Sequence, residues 1–401
     1  MKQSLFALAI VIMSLTACEP EIPMVTSGLK NSYAIERMRV LRLHPEYTGQ
    51  HYEWSMPDSQ GNDSVVSTSR DYLFVSAHPG VYSLKLHIVD DTNPFTHEMV
   101  ITVWEEELAY SPYITRVYDY CPAPGQFVGD MPRYEEGDTP ESMRAKVEEC
   151  IAGTNDVLVS LGGFGGYVTF GFDHSIVNMQ DSLDFRILGN ALYASSDASS
   201  MTSGGGAEPG IVMVSIDANG NGVPDDEWYE LAGSEHGNSA TVYNYEIAYH
   251  RTPVGHEATP RPNSGVTDTT YIAWSDNSGN AGYIERNAFH TQEYFPQWLS
   301  DDVLTFKGTR LPNNGVDAQG DGSYYILSSY SWGYADNHPN TASVAQNGFD
   351  IDWAVDGNGS RVHLPCVDFV RVYTGVNQQC GRIGEVSTEI CRAEDLHVEA
   401  Y

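Results

Sequence analysis

The chain has 401 residues, and its 21 Lys and Arg stand against 54 Asp and Glu, a net charge of −33. Binding to nucleic acid is excluded on that balance, because neutralising phosphates needs clustered basic residues. The length suits two or three domains of ~100–200 residues each. With 37 Gly, 20 Pro, 25 Tyr and only 19% charged residues, the composition favours an all-β protein over a helical one.

The chain opens MKQSLFALAIVIMSLTAC, with Lys2 as a short positive region and Leu5 to Met13 as an apolar one. That apolar run is shorter than the ~20 residues a spanning helix needs, so residues 1–17 read as a signal peptide. Leu15-Thr16-Ala17-Cys18 resembles the lipobox of bacterial lipoproteins. The resemblance implies cleavage before Cys18 and lipidation of its sulfur, which would attach the chain to the outer membrane. Glu19 and Glu21, in a tether over residues 18–30, resemble the signal that sends Bacteroidetes lipoproteins to the cell surface. No later stretch approaches ~18 continuous apolar residues. Cys121, Cys150, Cys366, Cys380 and Cys391 form no CxxC, so zinc and redox motifs are unsupported. An oxidising envelope permits disulfides among them, with at least one thiol left over.

Residues 31–107 predict a small sandwich. HYEWSM carries Trp54, and in PGVYSLKLHIVDD the residues Tyr82, Leu84, Leu86 and Ile88 alternate with Ser83, Lys85 and His87. This order resembles PKD and PKD-like domains, which implies an immunoglobulin-like sandwich. Residues 108–156 form a bridge with one helix. Thr139 can cap it, Pro140 and Glu141 suit its first turn, Met143, Val147 and Ile151 share a face, and Gly153 can end it.

Residues 157–401 read as a large β-sandwich with long loops, its strands including Gly210–Asp217, Val242–His250 and Ser323–Tyr334. The run SLGGFGGYVTFGFDHSIVN, AEPGIVMVS, FDIDWAVD and VDFVRVYTGV resembles bacterial cell-surface proteins with a galactose-binding-like jelly roll. The resemblance implies a surface lipoprotein that binds without catalysis. It implies a partner such as a TonB-dependent transporter or another surface lipoprotein, and in some relatives an association with corrinoid uptake.

GGFGGY, Gly162 to Tyr167, invites comparison with a phosphate loop. It lacks the following Lys-Ser/Thr and leads into a strand instead of a helix, so a tight strand entry is the better reading. SIDANGNGVPDDEWYEL is more informative. Asp217, Asn219 and Asn221 precede Gly222 as in the first half of a calcium loop, with the Val223 carbonyl and Asp225 as further ligands. Trp228 stands where that loop needs Glu, so structural Ca2+ and an ion-free Asx-rich hairpin both fit. Asp317, Gln319 and Asp321 form a thinner version.

Asp225, Asp226 and Glu227 are sequence neighbours, whereas glycosidase carboxylates face each other across ~5–10 Å. No GxSxG or HExxH occurs, and His174, His290, His338 and His363 are scattered. A non-catalytic binder is expected. In a strand over Ser323–Tyr334, Tyr330, Trp332 and Tyr334 would share a face, and Asp336, Asn337 and His338 follow at its end. Aromatic rings with polar neighbours suit an amphipathic small molecule, a glycan or corrinoid. Tyr294, Phe295 and Trp298 form a second candidate for an exposed aromatic surface. The expected function is capture of a nutrient ligand at the cell surface, with a structural or adhesion role as the alternative and a glycan hydrolase as the third.

Overall fold

A computed structural model describes residues 26–89, 94–193 and 205–399. The leader and Cys18 lie outside the described residues. The described residues form two compact units: those within Met1–Tyr33, Leu43–Tyr72 and Ser83–Val100, and those within Ala34–Arg42, Leu73–Tyr82 and Ile101–Tyr401. The fold is nearly all β, as the composition predicts. Among the described residues the α-helices are Pro140–Ile151 and a single turn, Val344–Asn347, which sequence patterning did not reveal.

In the smaller unit His51–Pro57 pairs antiparallel with Asp63–Ser67 and with Gly80–Val89, setting Trp54 opposite Leu86 and Tyr52 opposite Ile88. The period-2 pattern does what it predicts, since Leu84, Leu86 and Ile88 are buried. Trp54 is fully buried, donates its indole N–H to the Ser69 carbonyl at 2.9 Å, and stacks on Tyr72. It is a core residue.

The larger unit is built on a six-stranded antiparallel sheet. Its order is Ala354–Val355, Trp228–Leu231, Gly210–Ser215, Cys366–Thr374, Tyr167–Val177 and Arg116–Cys121. Both faces are buried, so its central strands are near-continuous apolar runs such as GIVMVS. Val168, Phe170, Val212, Val214, Val370 and Val372 join one core. The helix Pro140–Ile151 adds Met143, Val147 and Ile151 to that core. Thr139 caps it through a capping box with Ser142.

On the opposite face Ile211 and Tyr373 pack against a second, four-stranded sheet ordered Ala281–Asn287, Val266–Asp276, Val242–His250 and Val303–Arg310. Tyr245, Ile247, Tyr249, Ile272 and Phe306 complete this second core. The Gly162–Tyr167 segment enters the six-stranded sheet from a tight turn. A Cβ on Gly162, whose φ is +69°, would stand 1.9 Å from the Ala123 carbonyl oxygen, so only glycine fits.

Two expectations need correction. The strand predicted over Ser323–Tyr334 is confined to Tyr325–Leu327. Beyond it the Asn337 side chain takes the place of a neighbouring strand, accepting the Tyr330 N–H at 2.7 Å and donating to the Tyr330 carbonyl at 2.9 Å. The aromatic alternation there is not a strand face. Tyr294, Phe295 and Trp298 are core, not surface, each less than a tenth exposed. All five cysteines described are free thiols.

Candidate functional site

The hairpin Gly210–Ser215 to Trp228–Leu231 sets Met213 opposite Glu230 and Ser215 opposite Trp228; on its other side Met213 faces Arg371. By the two-residue period Met213, Trp228, Glu230, Arg371 and Tyr373 project toward the four-stranded sheet. The two sheets close on each other at Tyr373, whose hydroxyl accepts the Thr309 N–H at 2.9 Å. Beside this closure they leave a groove of about 550 Å3, lined by Trp228, Glu230, His236, Tyr243, Lys307 and Asp356 among others.

Each wall is positioned by neighbours. The Arg371 guanidinium lies 4.4 Å from the Trp228 ring centre and 4.5 Å from that of Tyr167, fixing the indole by cation–π contact. Tyr243 is 46% exposed, donates its hydroxyl to the His236 carbonyl, and meets the His236 ring edge-on. Glu230 accepts the Thr309 hydroxyl at 2.7 Å. His236 Nδ1 lies 3.6 Å from Glu230 Oε1 and has no hydrogen-bond partner, although the atom is buried. Asp356 accepts the backbone N–H groups of Ser360 and Asn358, which hold its carboxyl below the usual range. Two aromatic faces with a fixed cation, an amine, an imidazole and carboxylates around them can stack on a ring and hydrogen-bond its substituents.

The acidic loop of the same hairpin is saturated by its own atoms. Asp217 accepts the N–H groups of Asn221 and Gly222, while Asn221 Oδ1 accepts that of Val223. Asn219 and Asn221 donate their amides to Asp225, and Asp226 accepts the Ala218 N–H. Arg42 places its guanidinium 3.5 Å from the Asp217 carboxylate and bonds the Asp217 and Ala218 carbonyls. The loop thus brings Asp217, Asn219, Asn221 and Asp225 together, with an arginine supplying positive charge. Glu227 accepts the Tyr229 hydroxyl at 2.9 Å.

The residues predicted as a ligand platform come together in the interior. Tyr334, Asp336, Asn337 and His338 are each at most 4% exposed, and Tyr330 and Trp332 are half-buried. The Tyr334 hydroxyl accepts the Glu235 N–H, Tyr330 bonds the Pro312 carbonyl, and Trp332 packs on Trp353 at 4.5 Å. Asp336 accepts the N–H groups of Asn190, Ala191 and Glu389. Burial lowers the His338 pKa.

Asp336 also meets Glu208 and Glu389, their carboxylate oxygens lying within 4.8 Å of one another. By distance alone this trio could gather a cation. Burial and mutual repulsion push Glu208 and Asp336 well above the usual carboxylate range. Burial also raises Glu389, although it accepts the Ser387 hydroxyl and the Asn190 amide. Without a cation between them, shared protons offset the repulsion among the three carboxyls.

The reading of the sequence missed Tyr243, His236, Lys307 and Asp356, and it saw Trp228 only as a departure from a calcium loop. The available signal was the position of Trp228, two residues before Glu230 at a strand entry, where both fall on one face.

No protein-family model matches the chain, and no curated protein matches it. Among solved structures, a SusE-like protein is 10% identical over 90% of this chain and 94% of its own, with a TM-score of 0.27. A quinonprotein alcohol dehydrogenase-like protein of Bacteroides thetaiotaomicron is 12% identical over 66% and 49%, at 0.17. A structure of carbohydrate-binding modules of the β-sandwich superfamily is 9% identical over 90% and 94%, at 0.15. Superpositions this loose establish neither a shared fold nor a shared function. No helix among the described residues is long and apolar enough to cross a membrane.

Proposed function

We propose that this protein is a non-catalytic binder of glycans, displayed at the cell surface on a lipid attached to Cys18 and working beside an outer-membrane uptake system. The observation that carries the reading is the groove between the two sheets, where Trp228 and Tyr243 offer aromatic faces beside Glu230, His236, Lys307 and Asp356. Stacking supplies contact area at low entropic cost, and the polar groups select hydroxyl orientation. A retaining or inverting glycosidase needs one carboxyl kept protonated as an acid. Asp356 is held the opposite way by two backbone N–H groups, which disfavours it as that acid.

The small N-terminal sandwich, over residues 31–107, serves in this reading as a spacer for the binding domain of residues 157–401. A structural ion at the Asp217 loop is the less supported part of the proposal, because Arg42 and the Asn amides already occupy the oxygens an ion would use. Calorimetry of the protein against an oligosaccharide panel and cyanocobalamin tests the proposal. Heat with at least one oligosaccharide is expected. Heat with cyanocobalamin alone would move the ligand class to corrinoids, and silence from the whole panel would sink the capture function.

A further inference from the structure

A second cavity, separate from the groove, lies where the four-stranded sheet meets the segment after Cys366–Thr374. It measures about 360 Å3, within the range of small-molecule sites. Its walls include Phe164, Tyr249, Trp274 and Tyr283, with Gln379 and Glu385 at the polar side. Glu385 is only 3% exposed. One of its oxygens accepts the Gln126 N–H, and the other, Oε2, has no partner. Gln379 Oε1 is likewise buried and without a partner. Buried polar atoms are almost always satisfied, so two orphans on residues that line one cavity point to a group supplied from outside, a donor once Glu385 ionises.

The character of that donor follows from the surroundings. No Lys or Arg among the described residues lines the cavity. Glu389 and Glu208 interact electrostatically with Glu385, as do the phenols of Tyr249 and Tyr294. A neutral hydroxyl could satisfy one acceptor, but a carboxyl and an amide oxygen beside aromatic walls are best matched by a cation, which carries several donors and is attracted by ring faces. We propose that this cavity binds the ammonium group of a small primary amine, with Glu385 Oε2 and Gln379 Oε1 as its acceptors and the Trp274 and Tyr283 rings around its body.

Empty, Glu385 holds its proton to about pH 8, chiefly because burial disfavours the carboxylate. An arriving ammonium reverses that preference. Binding below pH 8 therefore releases a proton, and affinity rises as the pH climbs toward 8, since an alkylamine keeps its charge to roughly pH 10.

Calorimetry with cyclohexylamine and its uncharged analogue cyclohexanol tests this on the full chain. The amine should bind wild type, release close to one proton at pH 6.5 as judged from buffers of different ionisation enthalpy, and bind at least tenfold tighter than the alcohol. Glu385→Gln keeps an acceptor for Gln126 and should weaken the amine at least tenfold and abolish proton release. Trp228→Ala, in the other groove, should leave amine binding unchanged, so that failure of this site is told apart from failure of the glycan site. Equal affinity for amine and alcohol, unchanged binding in Glu385→Gln, or no binding of the amine to wild type would each overturn the proposal.

Discussion

Two groups of acids in this protein behave in opposite ways. Asp217, Asp225, Asp226 and Glu227 are neighbours in sequence, sit at the surface or half-buried, and are held by Asn amides, backbone N–H groups and Arg42. Glu208, Asp336 and Glu389 come from three distant segments and meet with their carboxylates in the interior. The first group is conspicuous to the eye, and its carboxylates face solvent and hydrogen-bond donors of their own hairpin. The second is invisible in the sequence and carries the large perturbations, because burial removes the solvent that would keep like charges apart. Proximity along the chain is a poor guide to chemical coupling in a sandwich whose strands pair across long separations.

The sharpest way to break this contrast is Asp336→Ala. It leaves the N–H groups of Asn190, Ala191 and Glu389 without their acceptor. Ala191 and Glu389 are buried, and at about 1–3 kcal/mol for each buried group left unpaired, denaturant unfolding should show a loss of at least about 2 kcal/mol. Asp336→Asn, which keeps one carbonyl acceptor and tolerates the φ of +51° at this position, should lose less. An alanine variant as stable as wild type would show that the interior acids do not organise the fold.

A smaller effect is expected from pH. In the unfolded chain Glu385 ionises near the ordinary ~4.3, whereas in the folded protein it does so only at about 8. The folded state therefore binds the extra proton between those values. The stability this provides is complete below about pH 4.3 and is lost as pH rises through about 8. Glu208 and Asp336, raised by the same causes, act in the same direction. Thermal unfolding should show a higher Tm at pH 6 than at pH 9, with a shallower slope in Glu385→Gln. A Tm that rises from pH 6 to 9 would contradict the account.

The smallest effect belongs to the surface loop. Asp217→Ala removes acceptors for Asn221 and Gly222 in a solvated hairpin, a loss of about 1 kcal/mol. If Arg42 is the cation of this loop, the loss is the same in calcium and in chelator. A loss confined to calcium-containing buffer would restore the ion.

How much was legible in advance follows the same physics. The alternation of Leu84, Leu86 and Ile88 and the four-residue spacing of Met143, Val147 and Ile151 fixed their elements correctly, because burial of one face is a local, periodic signal. The aromatic run from Tyr330 to Tyr334 misled, because the same alternation arises in a loop whose backbone is held by the Asn337 side chain. The groove was illegible for a different reason. Trp228, Tyr243, Lys307 and Asp356 come from separate strands and a turn, and only the pairing of two sheets brings them together. The partnerless oxygens of Glu385 and Gln379 are likewise tertiary facts with no sequence signature.

The most direct test of the central claim sets two tryptophans against each other, Trp228 in the groove and Trp332 against Trp353. Calorimetry with the tightest-binding oligosaccharide of the panel should show Trp228→Ala weakened at least tenfold, about 1.4 kcal/mol or more, and Trp332→Ala within about twofold of wild type. Retained affinity in Trp228→Ala, with loss in Trp332→Ala, would place the glycan on the 330–338 segment and contradict the groove.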